Sequence, residues 1–510
     1  MKKIFYGAFS VFLLGILVIV IRHPSNNLIP SRMVLFTAIW IGFLYGIRIL
    51  LQLIEKWIQK KGWNLNKISK SGLIIYAAVF TIVLYVISIL LRNEPVTDYG
   101  SVYQTAWKLA SGEAVEDWSY FSMWTNNLGT LTMLTALMKT GLLIGFTDPY
   151  YFVLAVNVIQ VTAVLISIFY ITGKIGGASP ALQWFAALVF SMWTPVWACT
   201  NSFYSDQLSF GGSMIAIAIL LRCRDMSGYK KYLLYLLSGF LWGLAIVVKA
   251  TAGIPLVAFI ITVILTAKNQ KKIYWKSLSL VLVIALCIVG MSLISDTYPS
   301  KQEEQRLKFS TEYWVALGLL KNGTYGENPE FIEGCYLSPD QDARKEYCRQ
   351  VIYDNRKNFY DVGRMIEKTS VIFGSGEIAP TSHIYPRSEN ILWQWVFYDG
   401  IYFWKYCCLS TGFFDAVLVI MLWGCLRRLF EKKEENGLVF MSYLTVFGLF
   451  FFMMFWEAQN KQLYNHIPWM TFCVVWAMRS MHSDPDSVQS LRQHRRIFCS
   501  ADKDCSRHCS

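Results

Sequence analysis

Charged residues are scarce in this chain, and several familiar site signatures are missing from it. Only 16% of the 510 residues are Asp, Glu, Lys or Arg, whereas 55% are hydrophobic. The chain has no P-loop, no Rossmann glycine pattern, no HExxH zinc motif and no internal repeat. The sequence therefore gives no support for a P-loop nucleotide hydrolase, a Rossmann dinucleotide-binding protein, an HExxH zinc protease or a repeat protein.

A dense disulfide framework is also missing. The twelve cysteines are scattered, and many lie in apolar runs, where a free Cys behaves as a small buried hydrophobe. Cys335 and Cys348 are the only two in the one sizeable polar segment. A disulfide between them stays an open alternative, because pairing cannot be deduced from spacing alone. The Cys and His residues near the C-terminus match no structural zinc pattern, so we predict no metal site there.

The chain is instead rich in long apolar runs. Several reach the roughly 20 residues that a helix needs to cross a bilayer. They predict an all-α polytopic membrane protein with about 12–13 transmembrane helices. The net charge of +13 comes from Lys and Arg that cluster between these runs. Such clustering indicates positive-inside topology, so we expect membrane lipids as partners and no nucleic acid.

The charge pattern also predicts an orientation in the plasma membrane. Lys2 and Lys3 precede an apolar run that lacks a small-residue cleavage site, so we predict an uncleaved first helix with a cytosolic N-terminus. The inside–outside alternation of the loops fails at one place. The chain must cross the membrane an even number of times between the first outer loop and Asp206, because both are assigned to the outer side, but three apolar runs lie between them. These runs cover about 127–146, 150–171 and 181–200. We predict that one of them, the first, is re-entrant, interfacial or tilted.

Runs and loops divide the chain into five parts. We predict an N-terminal helix pair with a basic cytosolic loop, a membrane core, an extracytoplasmic loop of two or three short helices, a C-terminal group of transmembrane helices, and a disordered cytosolic tail. Their predicted bounds are, in that order, 1–70, 71–294, 295–400, 401–478 and 479–510.

The first outer loop, residues 92–126, is the centre of the site prediction. It follows a long apolar run that ends at Leu91, so Asp98 is expected just beyond the membrane edge. A carboxylate at that depth is costly unless it stays hydrated or paired, and such acids are functional candidates. Aromatic and small residues then recur at helical spacing, which predicts an interfacial helix anchored by Tyr103 and Trp107. The alternative is a surface loop whose aromatic residues merely lie at headgroup level.

Four more charged residues stand at predicted helix ends on the same outer side, namely Asp206, Lys249, Glu457 and Lys461. A phosphate leaving group needs cations to neutralise it, and an attacking hydroxyl needs a carboxylate to accept its proton. Each residue also has a structural alternative. Asp206 could cap a helix, Lys249 could snorkel to the interface, and Glu457 with Lys461 could form an i,i+4 pair.

Six short motifs follow one another in order along the chain. They read PVTDYGSVYQTAWKLASGE, YFSMWTNNLGTLTML, FYSDQ, LWGLAIVVKATAGIPL, EYWVALGLLKNGTYGENPE and EAQNKQLYNHIPW. In their order and spacing, from about residue 90 to 478, the chain resembles the GT-C superfamily of polyprenyl-phosphate-sugar-dependent glycosyltransferases. The resemblance is greatest to the bacterial branch related to glycosyltransferase family 39 and the protein mannosyltransferases. The helices before residue 70 lie outside it.

The resemblance implies roles for three candidate residues. Asp98 stands where such enzymes carry their catalytic base, Asp206 where a second acid faces the site, and Lys249 where the lipid phosphate is contacted. The chain also departs from the family motifs. The family's His position falls here on Glu312 or Tyr313.

A second departure concerns the last motif, whose Arg position holds Lys461. Lysine keeps the positive charge but lacks the bidentate fork of arginine. In this interpretation Lys249 and Lys461 balance the departing lipid phosphate. The residues that shape the sugar site are Asp206, Glu457, Trp314, Asn126 and Asn127.

These observations lead to one interpretation and two rivals. We interpret the chain as an integral membrane glycosyltransferase that moves a monosaccharide, with inversion, from a polyprenyl-phosphate donor to a hydroxyl of an extracytoplasmic lipid, cell-wall glycan or protein. The sequence identifies no cofactor, and a divalent metal held by Asp98 and Asp206 stays open. The rivals are a secondary transporter or lipid flippase, and a catalytically inactive GT-C relative.

Overall fold

The computed structural model of the chain is helical almost throughout. It describes residues 2–175, 179–223, 225–266, 271–300, 306–378, 384–387, 389–431 and 436–479. The predicted tail lies outside these residues beyond Arg479, as do four basic residues of the predicted cytosolic loops, Arg224, Lys268, Lys432 and Lys433.

Three long helices begin the chain. They are α1 (Lys2–Arg22), α2 (Pro30–Lys60) and α3 (Leu65–Leu90). Proline at the first position of α2 fits because that residue needs no N–H donor there. Asn64 caps α3 by accepting a hydrogen bond from the Lys67 N–H at 3.0 Å. The first outer loop then forms β1 (Asn93–Pro95), α4 (Thr97–Ser111) and α5 (Ser119–Met123).

The middle of the chain supplies most of the core. Its helices are α6 (Leu128–Leu143), α7 (Tyr150–Lys174), α8 (Pro180–Ser191), α9 (Thr194–Cys199), α10 (Ser205–Leu208), α11 (Gly212–Cys223), α12 (Tyr229–Val248), α13 (Ile254–Thr266) and α14 (Lys271–Ser295). Single turns of 3-10 helix precede α6 and α13, at Thr125–Asn127 and Ala250–Gly253.

The last part of the chain forms an outer layer and three further core helices. The elements are α15 (Thr311–Leu319), α16 (Pro329–Leu337), α17 (Gln341–Asp354), α18 (Val362–Phe373), β2 (Ile384–Pro386), α19 (Ile391–Val396), α20 (Phe403–Phe430), α21 (Gly437–Phe455) and α22 (Ile467–Arg479). We call α15–α18 the outer layer. With α19, the described residues of the predicted loop 295–400 form five short α-helices where the sequence predicted two or three. A 3-10 turn at Arg356–Phe359 separates α17 from α18.

The described residues include nine helices long and apolar enough to cross a membrane. The chain is therefore an all-α polytopic membrane protein. The predicted 12–13 spans also counted four apolar runs that form shorter helices, α6, α8, α13 and α22, of 16, 12, 13 and 13 residues. These helices are short because irregular segments interrupt the apolar runs, mostly near the candidate residues.

Consecutive long helices alternate in direction, so their termini gather at two ends of the bundle. At the first end α3 stops and α7 begins, and Arg92 pairs with Asp148 at 2.7 Å. We call this the site end. At the other end α7 stops and α12 begins, and Lys174 pairs with Asp225 at 2.5 Å. We call it the basic end, because the described Lys and Arg of the predicted cytosolic loops lie there.

Helix α6 accounts for the odd number of apolar runs. Near its start, the Thr130 hydroxyl donates to the Val248 carbonyl at 3.2 Å, at the last residue of α12. Near its other terminus, a Cβ on Gly141 would lie 3.0 Å from Cβ of Phe152, in the first turn of α7. Both termini of α6 are thus at the site end, and α6 does not run the length of the bundle. This agrees with the prediction for the run 127–146.

Two short strands fasten the outer segments to the core. Strand β1 pairs antiparallel with β2, with Asn93 opposite Pro386 and Pro95 opposite Ile384. Next to this ladder, the Asn390 side-chain amide donates to the Leu90 carbonyl at 2.6 Å. The chain that leaves the outer layer is therefore attached directly beside the segment that leads to Asp98.

Candidate functional site

Five charged side chains from four separate segments lie together at the site end. They are Asp98 in the first turn of α4, Asp206 in α10, Lys249 directly after α12, and Glu457 and Lys461 after α21. Lys461 interacts electrostatically with each of the other four. The structure thus brings together residues that are more than 350 positions apart in the sequence.

Buried amide side chains hold the irregular loop that leads to Asp206. The Asn157 amide, from α7, donates to the Thr200 carbonyl at 2.6 Å. The Asn93 amide, from β1, donates to the Ser202 hydroxyl at 3.3 Å. Non-helical backbone is tolerated inside a membrane protein only where its polar groups are satisfied by protein or water. These amides therefore explain how the loop can stay buried and place Asp206 in the cluster.

Asp206 and Lys249 form the most buried ion pair of the site. Asp206 is only 1% exposed, and its Oδ2 lies 3.2 Å from the Lys249 Nζ. Lys249 has extended backbone between α12 and a 3-10 turn, and its Nζ also lies 3.4 Å from the Ser205 hydroxyl. The second carboxylate oxygen, Oδ1, is buried and has no hydrogen-bond partner among the described residues. The ion pair thus leaves one hydrogen-bond acceptor, Asp206 Oδ1, without a donor among the described residues.

Glu457 directly follows α21, and Lys461 lies in the 3-10 helix Asn460–His466 that precedes α22. Burial raises the pKa of Glu457 to about 7, while the charge of Lys461 opposes that rise. Burial and the charge of Lys249 lower the pKa of Lys461. The Gln459 amide donates to Glu457 Oε1 at 2.6 Å, and the Lys461 Nζ lies 5.4 Å from the centre of the Tyr204 ring. Burial thus favours the neutral form of both groups, and the opposite charges around them partly offset that effect.

Asn465 fixes this segment to the loop of Asp206. Its Oδ1 accepts from the Gly211 N–H at 3.2 Å, and its Nδ2 donates to the Ser209 hydroxyl at 2.7 Å. Asn465 therefore joins the segment after α21 to the start of α11.

Asp98 lies half-buried at the edge of the cluster. Thr97, just before it, has φ of +50°, a left-handed conformation that is strained for a β-branched residue. The Tyr120 hydroxyl is within hydrogen-bonding reach of the Asp98 carboxylate and accepts from the Asn127 amide at 2.7 Å. The Tyr204 hydroxyl donates to the Asn127 Oδ1 at 3.4 Å. Burial, mainly, with a contribution from Asp98, raises the pKa of both tyrosines.

The remaining predicted residues lie around this core. Trp314 stacks on Trp456, with 6.2 Å between ring centres and an interplanar angle of 18°, directly beside Glu457. Asn126 is exposed, and its amide donates to the Asn127 Oδ1 at 3.4 Å. Asn127, by contrast, is buried between the two tyrosines.

The structure separates the two residues at the family's His position. Glu312 lies in the outer layer, where it pairs with Lys345 at 3.7 Å and Arg349 at 3.3 Å. Tyr313 is fully buried on the other side of α15, and burial and the charge of Glu457 raise its pKa. Tyr313 is therefore the one of the two that faces the cluster.

Lys368 of α18 is a buried cation that the sequence analysis missed. Its side chain is 0% exposed, and its Nζ donates to the carbonyls of Gly318 and Trp456, both at 2.6 Å. Burial and nearby Arg364 lower its pKa to about 7, and Glu457 opposes that shift. A Cβ on Gly318 would lie 2.7 Å from the Trp456 carbonyl oxygen. Lys368 thus joins α15 to the residue that precedes Glu457.

Local sequence carried a signal for some of the missed residues but not for all. Tyr120 and Tyr204 lie within the quoted motifs YFSMWTNNLGTLTML and FYSDQ, so their positions could have been proposed. Lys368 is a single lysine in an amphipathic helix, for which a solvated surface position is the ordinary expectation.

The chemistry that this arrangement supports follows from its composition. Two lysines lie among three carboxylates, so an anionic group can be neutralised while a carboxylate takes a proton. Across the part of the chain that the structure describes, no three His, Cys, Asp or Glu side chains gather to hold a metal ion.

Comparison with known proteins gives a family and a weak structural likeness. No curated protein sequence matches the chain. Among solved structures, ArnT from Cupriavidus metallidurans, in a crystal structure bound to undecaprenyl phosphate, is similar at a TM-score of 0.36 with 11% sequence identity, over 81% of this chain and 78% of that chain. A likeness of this size carries no information about the site.

The family match is much more extensive. A sequence family described as conserved hypothetical integral membrane protein matches residues 1–363. The match includes the first two helices, which lay outside the GT-C resemblance, together with Asp98, Asp206 and Lys249. Because it covers more than half of the 510 residues, the chain belongs to this family of conserved hypothetical integral membrane proteins.

Proposed function

We propose that this protein is a membrane glycosyltransferase whose donor is a polyprenyl-phosphate-linked monosaccharide. One observation carries the proposal: two lysines and three carboxylates from four segments meet at one end of a membrane-embedded bundle, and three of them, Asp206, Glu457 and Lys461, are buried there. Ionisable groups kept inside a membrane protein at such cost are expected to serve a function.

The proposed donor fits the charges and the location. Lys249 and Lys461 supply positive charge for the phosphate of the donor, whose polyprenyl chain stays in the bilayer. The stacked rings of Trp314 and Trp456, 6.2 Å apart, offer an apolar surface to the sugar beside Glu457. Positive charge at the leaving group stabilises the transition state more than the ground state, because negative charge develops there.

Asp98 is the proposed base. The acceptor hydroxyl attacks the anomeric carbon from the face opposite the phosphate, so a new C–O bond forms as the bond to the phosphate oxygen breaks. The hydroxyl proton passes to the Asp98 carboxylate, and the lipid phosphate leaves with the negative charge. Asp98 is the acid suited to this role because it is half-buried and reachable, whereas Asp206 is committed to Lys249. The product keeps an inverted anomeric centre.

The test uses purified protein in bilayer nanodiscs. Radiolabelled polyprenyl-phosphate sugars are offered with candidate hydroxyl acceptors, and loss of label from the lipid is measured for the wild type and for Asp98→Asn. We expect the wild type to release label from one donor, and Asp98→Asn to do so at least about 100-fold more slowly, as for the loss of a general base.

Glu94→Gln is the matched control. Glu94 is an exposed acid on β1, four residues before Asp98, and its substitution should leave the rate unchanged. Equal rates for Asp98→Asn and the wild type would remove Asp98 as the base. Tight binding of one donor without loss of label would favour a lipid flippase or an inactive relative instead.

A further inference from the structure

Two cysteines of the outer layer lie side by side and have no part in the proposed reaction. Cys335 is in α16 and Cys348 in α17, and their sulfur atoms are 3.8 Å apart. Both side chains are fully buried, in a cluster that also contains Phe309, Tyr313 and Phe331. Both are free thiols in the structure.

The geometry already has most of what a disulfide requires. A disulfide bond is about 2.0 Å long, so the two sulfur atoms need to approach by roughly 2 Å, which side-chain rotation can supply. The helices that carry them are joined by a turn of three residues, 338–340, so they form a hairpin. The crosslink would therefore join two neighbouring helices and would not require the outer layer to rearrange.

The predicted location supplies the chemical environment. The outer layer is attached to the site end through Lys368, whereas the basic residues of the loops lie at the opposite end. By the positive-inside rule, the outer layer belongs to the extracytoplasmic side, where disulfides form and persist.

We infer that Cys335 and Cys348 are joined by a disulfide in the mature protein. Each thiol loses one electron and one proton, and the oxidant is a protein thiol–disulfide oxidoreductase whose own disulfide becomes a dithiol. Because both sulfurs are buried once α16 and α17 pack, exchange takes place on the newly translocated chain before packing is complete. Like the proposed function, the inference places the outer layer on the extracytoplasmic side, but it does not depend on sugar transfer.

The crosslink would stabilise a structure next to the site. Arg344, between the two cysteines, donates from Nε to the Cys335 carbonyl at 2.7 Å and from its terminal nitrogen to the Leu307 carbonyl at 2.7 Å. Its guanidinium lies 4.7 Å from the centre of the Phe309 ring, and Phe309 stacks on Trp124 at 4.3 Å. A fixed α16–α17 hairpin therefore holds the aromatic wall that contains Trp124.

The test detects the bond in the full-length protein as cells make it. Cells expressing the protein are precipitated in acid, which stops thiol exchange, and are then denatured in a thiol-alkylating reagent without reductant. Trypsin cuts after Lys321, Arg344, Lys345 and Arg349, so Cys335 lies in peptide 322–344 and Cys348 in peptide 346–349. We expect most of the chain to give these two peptides as one linked species, two hydrogen masses lighter than their sum.

Reduction before alkylation should convert the linked species to two alkylated peptides. In a Cys335→Ser variant the linked species should vanish and peptide 346–349 should carry the alkyl group. Recovery of both cysteines alkylated from the unreduced wild type would overturn the inference. That result would leave the lipid-donor assay with Asp98→Asn unaffected, so the two proposals can fail separately.

Discussion

The two ends of the bundle each contain a Lys–Asp pair, and the pairs differ in surroundings more than in geometry. At the basic end Lys174 and Asp225 are 2.5 Å apart, and each side chain is 41% exposed. At the site end Lys249 and Asp206 are 3.2 Å apart but only 20% and 1% exposed. The shorter pair contributes little to stability because water and salt screen it. The longer pair is the one whose disruption leaves a buried charge without its partner.

The helix termini show the same contrast. At the basic end α7 runs to Lys174 and α20 to Phe430, and Phe430 is 82% exposed. At the site end, helices stop early and buried side-chain amides satisfy the irregular backbone between them. The charged pair at the basic end is thus open to solvent, while the charged pair at the site end lies beside buried polar contacts that satisfy irregular backbone.

The largest effect is predicted for substitutions that break the two Lys–Asp ion pairs one at a time. Asp206→Ala should lower the free energy of unfolding by about 4 kcal/mol, because it leaves the Lys249 charge largely buried and unpaired. Asp225→Ala should lower it by less than about 1 kcal/mol. Denaturant unfolding in detergent micelles, followed by tryptophan fluorescence, measures both.

A double variant serves as the control. Asp206→Ala with Lys249→Met removes both charges, and part of the lost stability should return. Similar losses for Asp206→Ala and Asp225→Ala would mean that the two ends do not differ as described.

The second prediction concerns pH and two buried groups near the site. The folded-state pKa of Glu457 is raised from 4.5 to about 7, so between these pH values the folded protein binds a proton that the unfolded chain has released. The free energy of unfolding therefore falls as pH rises from about 4.5 to 7. The folded-state pKa of Lys368 is lowered from 10.5 to about 7, so between these pH values the folded protein has a neutral amine while the unfolded chain still binds a proton. The free energy of unfolding therefore rises as pH rises from about 7 to 10.5. The stability should therefore pass through a minimum near pH 7, with a fall of about 3 kcal/mol on the acid side.

Unfolding temperatures measured across pH test this profile. Glu457→Gln should flatten the acid limb and Lys368→Met the alkaline limb. Glu431→Gln at the basic end, where the side chain is 39% exposed and paired with Arg427, should change neither. A single maximum near pH 7 in the wild type would contradict the assignment.

The smallest predicted effect compares two asparagines. Asn465→Ala removes the contacts to Gly211 and Ser209 and should cost about 2 kcal/mol, because it leaves buried polar groups unpaired. Asn436→Ala at the basic end removes only a helix cap, which accepts from the Leu438 N–H at 2.9 Å, and should cost about 1 kcal/mol. Denaturant unfolding of both variants tests this prediction. A larger loss of unfolding free energy for Asn436→Ala than for Asn465→Ala would contradict it.

Much of the fold could be predicted from the sequence because it depends on local hydropathy. The apolar run that ends at Leu91 forms a helix that ends at Leu90, and the run 127–146 forms α6, a helix of 16 residues whose two termini both lie at the site end. The outer layer was predicted less well, since the 3-10 turn that separates α17 from α18 has no strong hydropathy signal.

The candidate site was predictable only where its residues are charged and stand next to apolar runs. Asp98 and Asp206 meet that condition, and the structure brings them into one cluster with the lysines. Lys368 does not, because its importance depends on carbonyls of Gly318 and Trp456 that are distant in sequence. Likewise, the amides of Asn157 and Asn465 gain their roles from irregular backbone whose course local sequence does not encode. Roles for Asp98, Lys249 and Lys461 stay predictions.

The three-residue ladder between β1 and β2 sets an order for assembly during synthesis. Its strands are separated by almost 300 residues, so the segment that leads to Asp98 waits unpaired until Pro386 has left the ribosome. Glu457 and Lys461 arrive later still. A partly made chain therefore places several helices in the bilayer before it possesses a complete site. The five charged residues at the site end can therefore come together only after α21 and the segment that follows it have been made.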